Sequence, residues 1–185
     1  SPRRGVSWAV RLAQAGHIGG DYYDFVDPDG WSRIAIVGDI AGKGIPAAMM
    51  MVYVRALFRQ AVRDTQEPAA ILARLSNALY AEAREKPYLT CLVARFDEQR
   101  KRLTCSVAGH PPALAIGATH QRLVEGGPPA GLLPDAIYEQ QTIDVPSGSR
   151  VIVVTDGITE RLADFDAAVT GIDPRQPADA VCEEI

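Results

Sequence analysis

The sequence predicts an α+β fold: a mainly antiparallel β-sandwich flanked by helices. Three observations carry the prediction. About eight or nine apolar runs of strand length are separated by turn residues and follow one another as hairpins. Two segments of helical period stand together in the middle of the chain. Strands and helices do not alternate throughout, as a doubly wound parallel sheet requires. At 185 residues with 47% hydrophobic content, the chain suits one domain with a substantial core and is short for two.

Taken in order, residues 6–13 carry strand formers with loose alternation, and Tyr22 to Val26 and Arg33 to Val37 continue the pattern around the turn Asp27-Pro28-Asp29-Gly30. After Gly44 the period changes. Ile45, Ala48, Met49, Val52 and Ala56 predict the buried stripe of a helix, with Pro46 accepted in its first turn, and the three methionines filling the sheet-to-helix interface. A second helix is expected from Glu67 to Arg84, packing through Ile71, Leu72, Leu75, Ala78 and Leu79. A hairpin follows, Leu89 to Phe96 and Leu103 to Val107, turning at Asp97 to Arg102. Ala113 to Ile116 resumes the strands, residues 126–134 form a rigid connection, and Tyr138 to Val145 and Arg150 to Val154 read as two more strands. A short helix is expected from Asp173 to Ile185.

The chemistry concentrates at three aspartates. Asp21 follows two glycines where one strand opens, and Asp39 follows Gly38 where its neighbour closes. In an antiparallel meander these two carboxylates can meet at one end of adjacent strands. Asp156 repeats the arrangement beyond Arg150 to Val154, with Gly157 next to it. Either of the first two aspartates alone reads more readily as a turn residue; together with the third, at strand ends, they read as oxygen ligands for a cation. Clustered carboxylates raise one another's pKa, and a cation keeps them ionised at neutral pH. Oxygen donors favour Mg²⁺ or Mn²⁺, and the cysteines lack the paired spacing of a zinc site. Gly42-Lys43-Gly44 does not complete a phosphate loop: only three residues separate Gly38 from Gly42, where that loop needs four, and Gly44 stands where it needs Ser or Thr.

A net charge of -4 and scattered basic residues argue against nucleic acid as a partner. No apolar run reaches the ~18 residues of a membrane span and no signal-peptide pattern opens the sequence, so a soluble, cytoplasmic protein is expected, without membrane insertion. Cys91, Cys105 and Cys182 form no close pair, which agrees with a reduced compartment; Cys91 and Cys105 are expected to be buried as small hydrophobes.

Four segments occur in the order and spacing of one family: Gly-Gly-Asp21-Tyr-Tyr-Asp24-Phe, Gly-Asp39-Ile-Ala-Gly-Lys-Gly44-Ile-Pro-Ala-Ala, Ala-Gly-His110-Pro-Pro and Thr-Asp156-Gly-Ile-Thr-Glu160. From about residue 7 to residue 163 the chain resembles the SpoIIE/RsbU-type serine phosphatases, the bacterial branch of the metal-dependent type-2C (PPM) protein phosphatases. The resemblance implies an αββα sandwich holding two Mn²⁺ or Mg²⁺ ions at one end. Asp39 would bridge the ions, the Ile40 carbonyl would bind one and Asp156 the other, and Asp21 would bind directly or through water. These aspartates would act in catalysis through the bound metal and water. Asp24 would support the ligands, and His110 would shape its loop without binding metal.

The implied substrate is a phosphorylated anti-anti-sigma protein of the STAS fold, in a partner-switching pathway that frees a sigma factor. The resemblance also implies an N-terminal sensor domain in a longer protein, and the family's helices allow a homodimer. Two departures stand out. The family's last strand, bearing a further metal-binding aspartate, does not follow before Ile185, and the stretch from Arg161 to Pro174 is short. Residues 1–185 are therefore expected to form a single phosphatase domain cut before its last strand. A catalytically silent, phosphatase-like module that binds a partner is the alternative.

Overall fold

The computed structural model of the chain describes residues 6–12, 19–82, 88–111, 113–117, 120–123, 126–161, 165–173 and 176–184. Two antiparallel sheets form its centre. The first runs in the order β1 (Asp21–Val26), β2 (Ser32–Ile40), β3 (Leu89–Asp97), β4 (Arg102–Ala108) and β7 (Gln141–Asp144). The second, smaller sheet places β5 (Ala113–Ile116) between β6 (Gln121–Leu123) and β8 (Arg150–Ile152).

The period-two pleat divides each strand between two apolar layers. Ile34, Ile36 and Ile40 of β2 and Cys91 and Val93 of β3 pack against Val54 and Phe58 of α1 (Ile45–Asp64) and Leu72 and Leu75 of α2 (Pro68–Glu82). The alternate residues Leu92, Ala94 and Phe96 turn to the other side, where they meet Ala113, Ala115 and Leu123 of the small sheet. That sheet's outer face, Leu114, Ile116 and Ile152, packs under α4 (Phe165–Thr170) and α5 (Ala178–Glu184) through Phe165, Val169 and Val181. Helices, sheet, sheet and helices thus form four layers with three apolar seams, and the expected αββα sandwich is the observed one.

The turns follow their sequences. Asp29 Oδ1 accepts the backbone N–H groups of Trp31 at 2.8 Å and Ser32 at 2.6 Å, closing the β1–β2 hairpin over Gly30. Asp97 does the same for Gln99 and Arg100 between β3 and β4. Across the connection from 126 to 134, Leu89 and Ala130 exchange two backbone hydrogen bonds of 2.9 Å, and Gly127 donates to Val107 at 3.0 Å. These bonds give the connection its shape without helix or strand.

Several expectations need correction. Residues 6–12 form no strand; Trp8 instead sets its ring against Phe25 at 5.0 Å, and Arg11 donates to the Cys182 carbonyl. Residue 13 lies outside the described residues. In α1 the expected stripe faces outward: Ile45, Met49 and Val52 are about 70% exposed, while Ala47, Val54, Phe58, Ala61 and Val62 are buried. The helix is apolar on two faces, so its period alone does not choose between them. Met50 and Met51 pack against the core as expected, and Met49 does not. The strands expected from Tyr138 and from Arg150 are shorter, β7 beginning only at Gln141 and β8 ending at Ile152. The last helix begins at Ala178, five residues later than expected. Three short elements went unread: β6, α3 (Asp156–Thr159) and α4.

Candidate metal centre

Asp21 and Asp39 stand directly opposite one another across β1 and β2. The Ile40 N–H donates to the Gly20 carbonyl at 3.0 Å, so Gly20 and Ile40 share a hydrogen-bonded position. Alternation then makes Asp21 and Asp39 a non-hydrogen-bonded pair, the closer kind, with Cα atoms about 4.5 Å apart and side chains on the same face. That face is the inter-sheet one, because Ile36 and Ile40 turn toward α1 and α2 and Asp39 lies out of phase with them. Thr90 of β3 extends the row opposite Asp39, its hydroxyl 3.4 Å from the Asp39 carbonyl.

Two glycines make room for this pair. A Cβ on Gly20 would collide with Asp39 Oδ1 and with the Ile40 carbonyl oxygen, so the two oxygens sit around a space that only glycine leaves open. A Cβ on Gly38 would strike the Thr90 carbonyl oxygen and come within 2.6 Å of Cys91 Cβ.

Asp156 arrives from the other sheet, in the first turn of α3 just beyond β8, preceded by extended Thr155. Its charge reaches Asp39. Burial first, then the charges of Asp21 and Asp156, push the Asp39 carboxyl above its usual range, and only the Ile40 backbone opposes them. Asp21 and Asp39 are thus paired across the strands, and Asp156 lies near enough for its charge to act on Asp39. Among the described residues no three Asp, Glu, His or Cys side chains close around a common point as a metal cage does. The donor set nevertheless fits a hard cation: three carboxylates and a carbonyl, all oxygen, two of them around the Gly20 space.

Asp24 goes elsewhere. Three residues from Asp21, it falls on the opposite face and meets α1, where Arg59 holds it bidentately, Nε to Oδ2 at 2.7 Å and Nη2 to Oδ1 at 2.8 Å. The Phe25 N–H also donates to Oδ1, and the Tyr22 hydroxyl stands 3.4 Å from Oδ2. Burial alone would raise the Asp24 carboxyl, but the Arg59 and Phe25 hydrogen bonds and the nearby guanidinium charges outweigh it and hold the group low.

His110, expected only to shape its loop, is buried close to the Asp156 charge. It follows Gly109, whose φ of 64° turns the chain out of β4 and whose N–H donates to the Gly127 carbonyl at 2.8 Å. The ring is buried, 6% exposed, and burial pushes its pKa down to about 4 against the opposing pull of Asp156 and the Val154 backbone. Although Val154 lies alongside, neither ring nitrogen completes a hydrogen bond of acceptable geometry. Its sequence signal was the Ala-Gly-His-Pro-Pro segment, which by itself reads as a turn.

Two antiparallel sheets between helical layers, with aspartates gathered at one end of the inter-sheet seam, define the class of the metal-dependent type-2C phosphatase fold. The chain belongs to the Stage II sporulation protein E (SpoIIE) family, whose model matches residues 29–185. Among curated proteins it is 28% identical over 149 residues to phosphoserine phosphatase RsbU of Bacillus subtilis, an alignment covering 79% of this chain and 44% of RsbU. To phosphoserine phosphatase RsbP of the same organism it is 25% identical over 152 residues, covering 79% and 38%. The chain thus spans less than half the length of these relatives. The solved SiaA-PP2C domain of Pseudomonas aeruginosa superposes with a TM-score of 0.76 at 22% identity, covering 90% of this chain and 71% of that one. RsbX in complex with magnesium gives 0.72 at 16% identity, covering 92% and 81%.

Proposed function

We propose that this chain is a divalent-metal-dependent protein phosphatase acting on phosphoserine or phosphothreonine, with Asp21, Asp39, the Ile40 carbonyl and Asp156 as its metal-holding groups. The observation that carries the reading is the cross-strand Asp21–Asp39 pair, packed against the Gly20 space and within reach of the Asp156 charge. Residues 1–185 act as one phosphatase domain in this reading. The names of RsbU and RsbP, and the magnesium in RsbX, support the substrate class and the cation.

When bound, Mg²⁺ or Mn²⁺ supplies Lewis acidity that makes a water nucleophilic and absorbs charge on the phosphoryl oxygens. The chain's own part is to hold the carboxylates in fixed register and to keep competing nucleophiles away. Burial pushes the Cys91 thiol far up and the Cys105 thiol to about 11, so neither is a thiolate at neutral pH. The Ser106 hydroxyl is buried and donates to the Glu139 carbonyl at 2.6 Å. Water is then the nucleophile, attacking phosphorus in line as the serine or threonine oxygen leaves with a proton. No phosphoenzyme forms.

The partner we assign is a phosphorylated STAS-domain anti-anti-sigma protein in a partner-switching pathway, with a sensor domain in the longer protein and a cytoplasmic location. Hydrolysis of p-nitrophenyl phosphate and of a phosphoserine STAS protein, in EDTA, Mg²⁺ or Mn²⁺, tests the reading. Metal-dependent turnover lost in Asp39→Asn and Asp156→Asn is expected. Turnover unaffected by EDTA, or a phosphorylated chain detected by mass spectrometry, would exclude it; binding of the STAS protein without turnover would mark a silent partner-binding module.

A further inference from the structure

Among the described residues outside the aspartates, His110 is a buried polar side chain whose placement the fold does not explain. It is more than nine-tenths buried, and both ring nitrogens are without a hydrogen bond. Such a group costs folding free energy unless something pairs with it. A structural role is better served by an apolar side chain of the same size, because packing needs no nitrogen. The ring's surroundings indicate what is missing. A neutral imidazole carries one N–H and one lone pair. The Val154 carbonyl beside it suits the N–H, and the lone pair is left for a donor that no described residue supplies. The charge close to the ring is Asp156, one of the proposed metal-holding groups.

We infer that His110 is a positioning residue of the metal centre, its unpaired ring nitrogen accepting a hydrogen bond from water held at the cation beside Asp156. The inference rests on the metal-centre reading above and extends it to a residue outside the proposed ligand set. Water bound to a cation is a strong donor, and an imidazole whose N–H is directed at a carbonyl is a good acceptor at its other nitrogen. The bond would orient that water without the ring entering the cation's own ligand set. His110 would thereby link the end of β4 to the carboxylate at the end of β8, on opposite sides of the inter-sheet seam.

The chain holds three histidines, His17, His110 and His120, so their side-chain nitrogens can be followed by ¹⁵N-resolved NMR with few signals. Addition of Mg²⁺ to the labelled chain is expected to move the unprotonated nitrogen of His110 upfield, as hydrogen bonding to its lone pair requires, and to leave His17 and His120 in place. In calorimetric titration, Mn²⁺ affinity should fall about 10–100-fold in His110→Leu, while the thermal midpoint in EDTA stays level or rises. His110→Gln, whose amide oxygen can accept, should recover part of the affinity and also covers the case in which the leucine variant fails to fold. An unmoved His110 signal together with unchanged Mn²⁺ affinity in both variants overturns the inference and leaves the metal centre standing, provided Asp39→Asn abolishes binding. Failure of the unsubstituted chain to bind Mn²⁺ overturns both.

Discussion

Replacing Asp39 by Asn should stabilise the metal-free protein while destroying its response to metal. The two effects have one origin. Asp39 faces Asp21 as a directly opposed like charge, an arrangement worth about 0.2–1 kcal/mol of destabilisation. Asp156 adds a second repulsion from the other sheet, and the partial exposure of Asp39 screens both. Together they amount to about 1 kcal/mol, or about 2–4 °C in melting temperature for a chain of this length. The pH dependence follows from the direction of the shift. A carboxyl raised above its ordinary 3.8 in the folded state costs nothing below that value, and costs progressively more as pH climbs through the raised value. At neutral pH the penalty is fully developed, so the Asn variant gains there and not below pH 3.8. Cation binding reverses the balance for the unsubstituted chain: Mn²⁺ at a hundredfold excess over its dissociation constant adds about 2.7 kcal/mol, hence about 5–11 °C. Differential scanning fluorimetry in EDTA and in Mn²⁺, at pH 7, reads both effects. A lower midpoint for Asp39→Asn in EDTA, or an undiminished Mn²⁺ shift in that variant, would refute the account.

Three further outcomes are expected. Gly20→Ala forces a methyl group onto Asp39 Oδ1 and the Ile40 carbonyl, and should cost about 1–3 kcal/mol along with most of the Mn²⁺ shift; Gly157→Ala, which meets nothing within 4 Å, should leave folding stability unchanged in the same melts. Arg59→Ala removes the bidentate hold on Asp24 and, because Arg59 is partly exposed and Arg55 remains 3.7 Å from the carboxylate, should cost about 0.2–1 kcal/mol in urea unfolding. Because the Asp24 carboxyl is held low, that difference should persist from pH 7 to pH 5 and shrink only below 3.8; a difference constant down to pH 3 would detach it from Asp24. Leu72→Ala, fully buried between α2 and the large sheet, should lose about 2–5 kcal/mol, and a smaller loss would mean that the helix relaxes into the space.

The aspartates could be read in the sequence because strand alternation and a short turn constrain where two residues on adjacent strands meet. Asp21 and Asp39 each lie nine residues from Gly30, at the end of the turn, and the strand bearing one pairs with the strand bearing the other. Asp156 required only that its strand end at the same edge of the sandwich. The layers were legible from the order of elements: successive hairpins with two helices together in the middle exclude a doubly wound sheet. Where local pattern is symmetric, it failed. α1 is apolar on two sides, and only the position of the large sheet selects Val54 and Phe58 over Met49 and Val52. Residues 6–12 have strand formers, yet Trp8 meets β1 through its ring on Phe25 and the segment forms no strand. The burial of His110 and its unmade hydrogen bonds are properties that no spacing encodes, so the Ala-Gly-His-Pro-Pro segment reads in sequence only as a turn.

The three apolar seams bear on how the site should breathe. Asp21 and Asp39 are carried by β1 and β2 of a five-stranded sheet braced by two long helices, whereas Asp156 and its short helix hang from a three-stranded sheet with a separate, smaller core. Amide exchange should therefore be slow around Ile36 and Val93 and faster around Ile152 and Asp156, since subglobal opening follows local packing. An ion held between the two sheets would tie the quickly exchanging layer to the slow one, so that its clearest signature is extra protection at the Asp156 end, with the large sheet little changed.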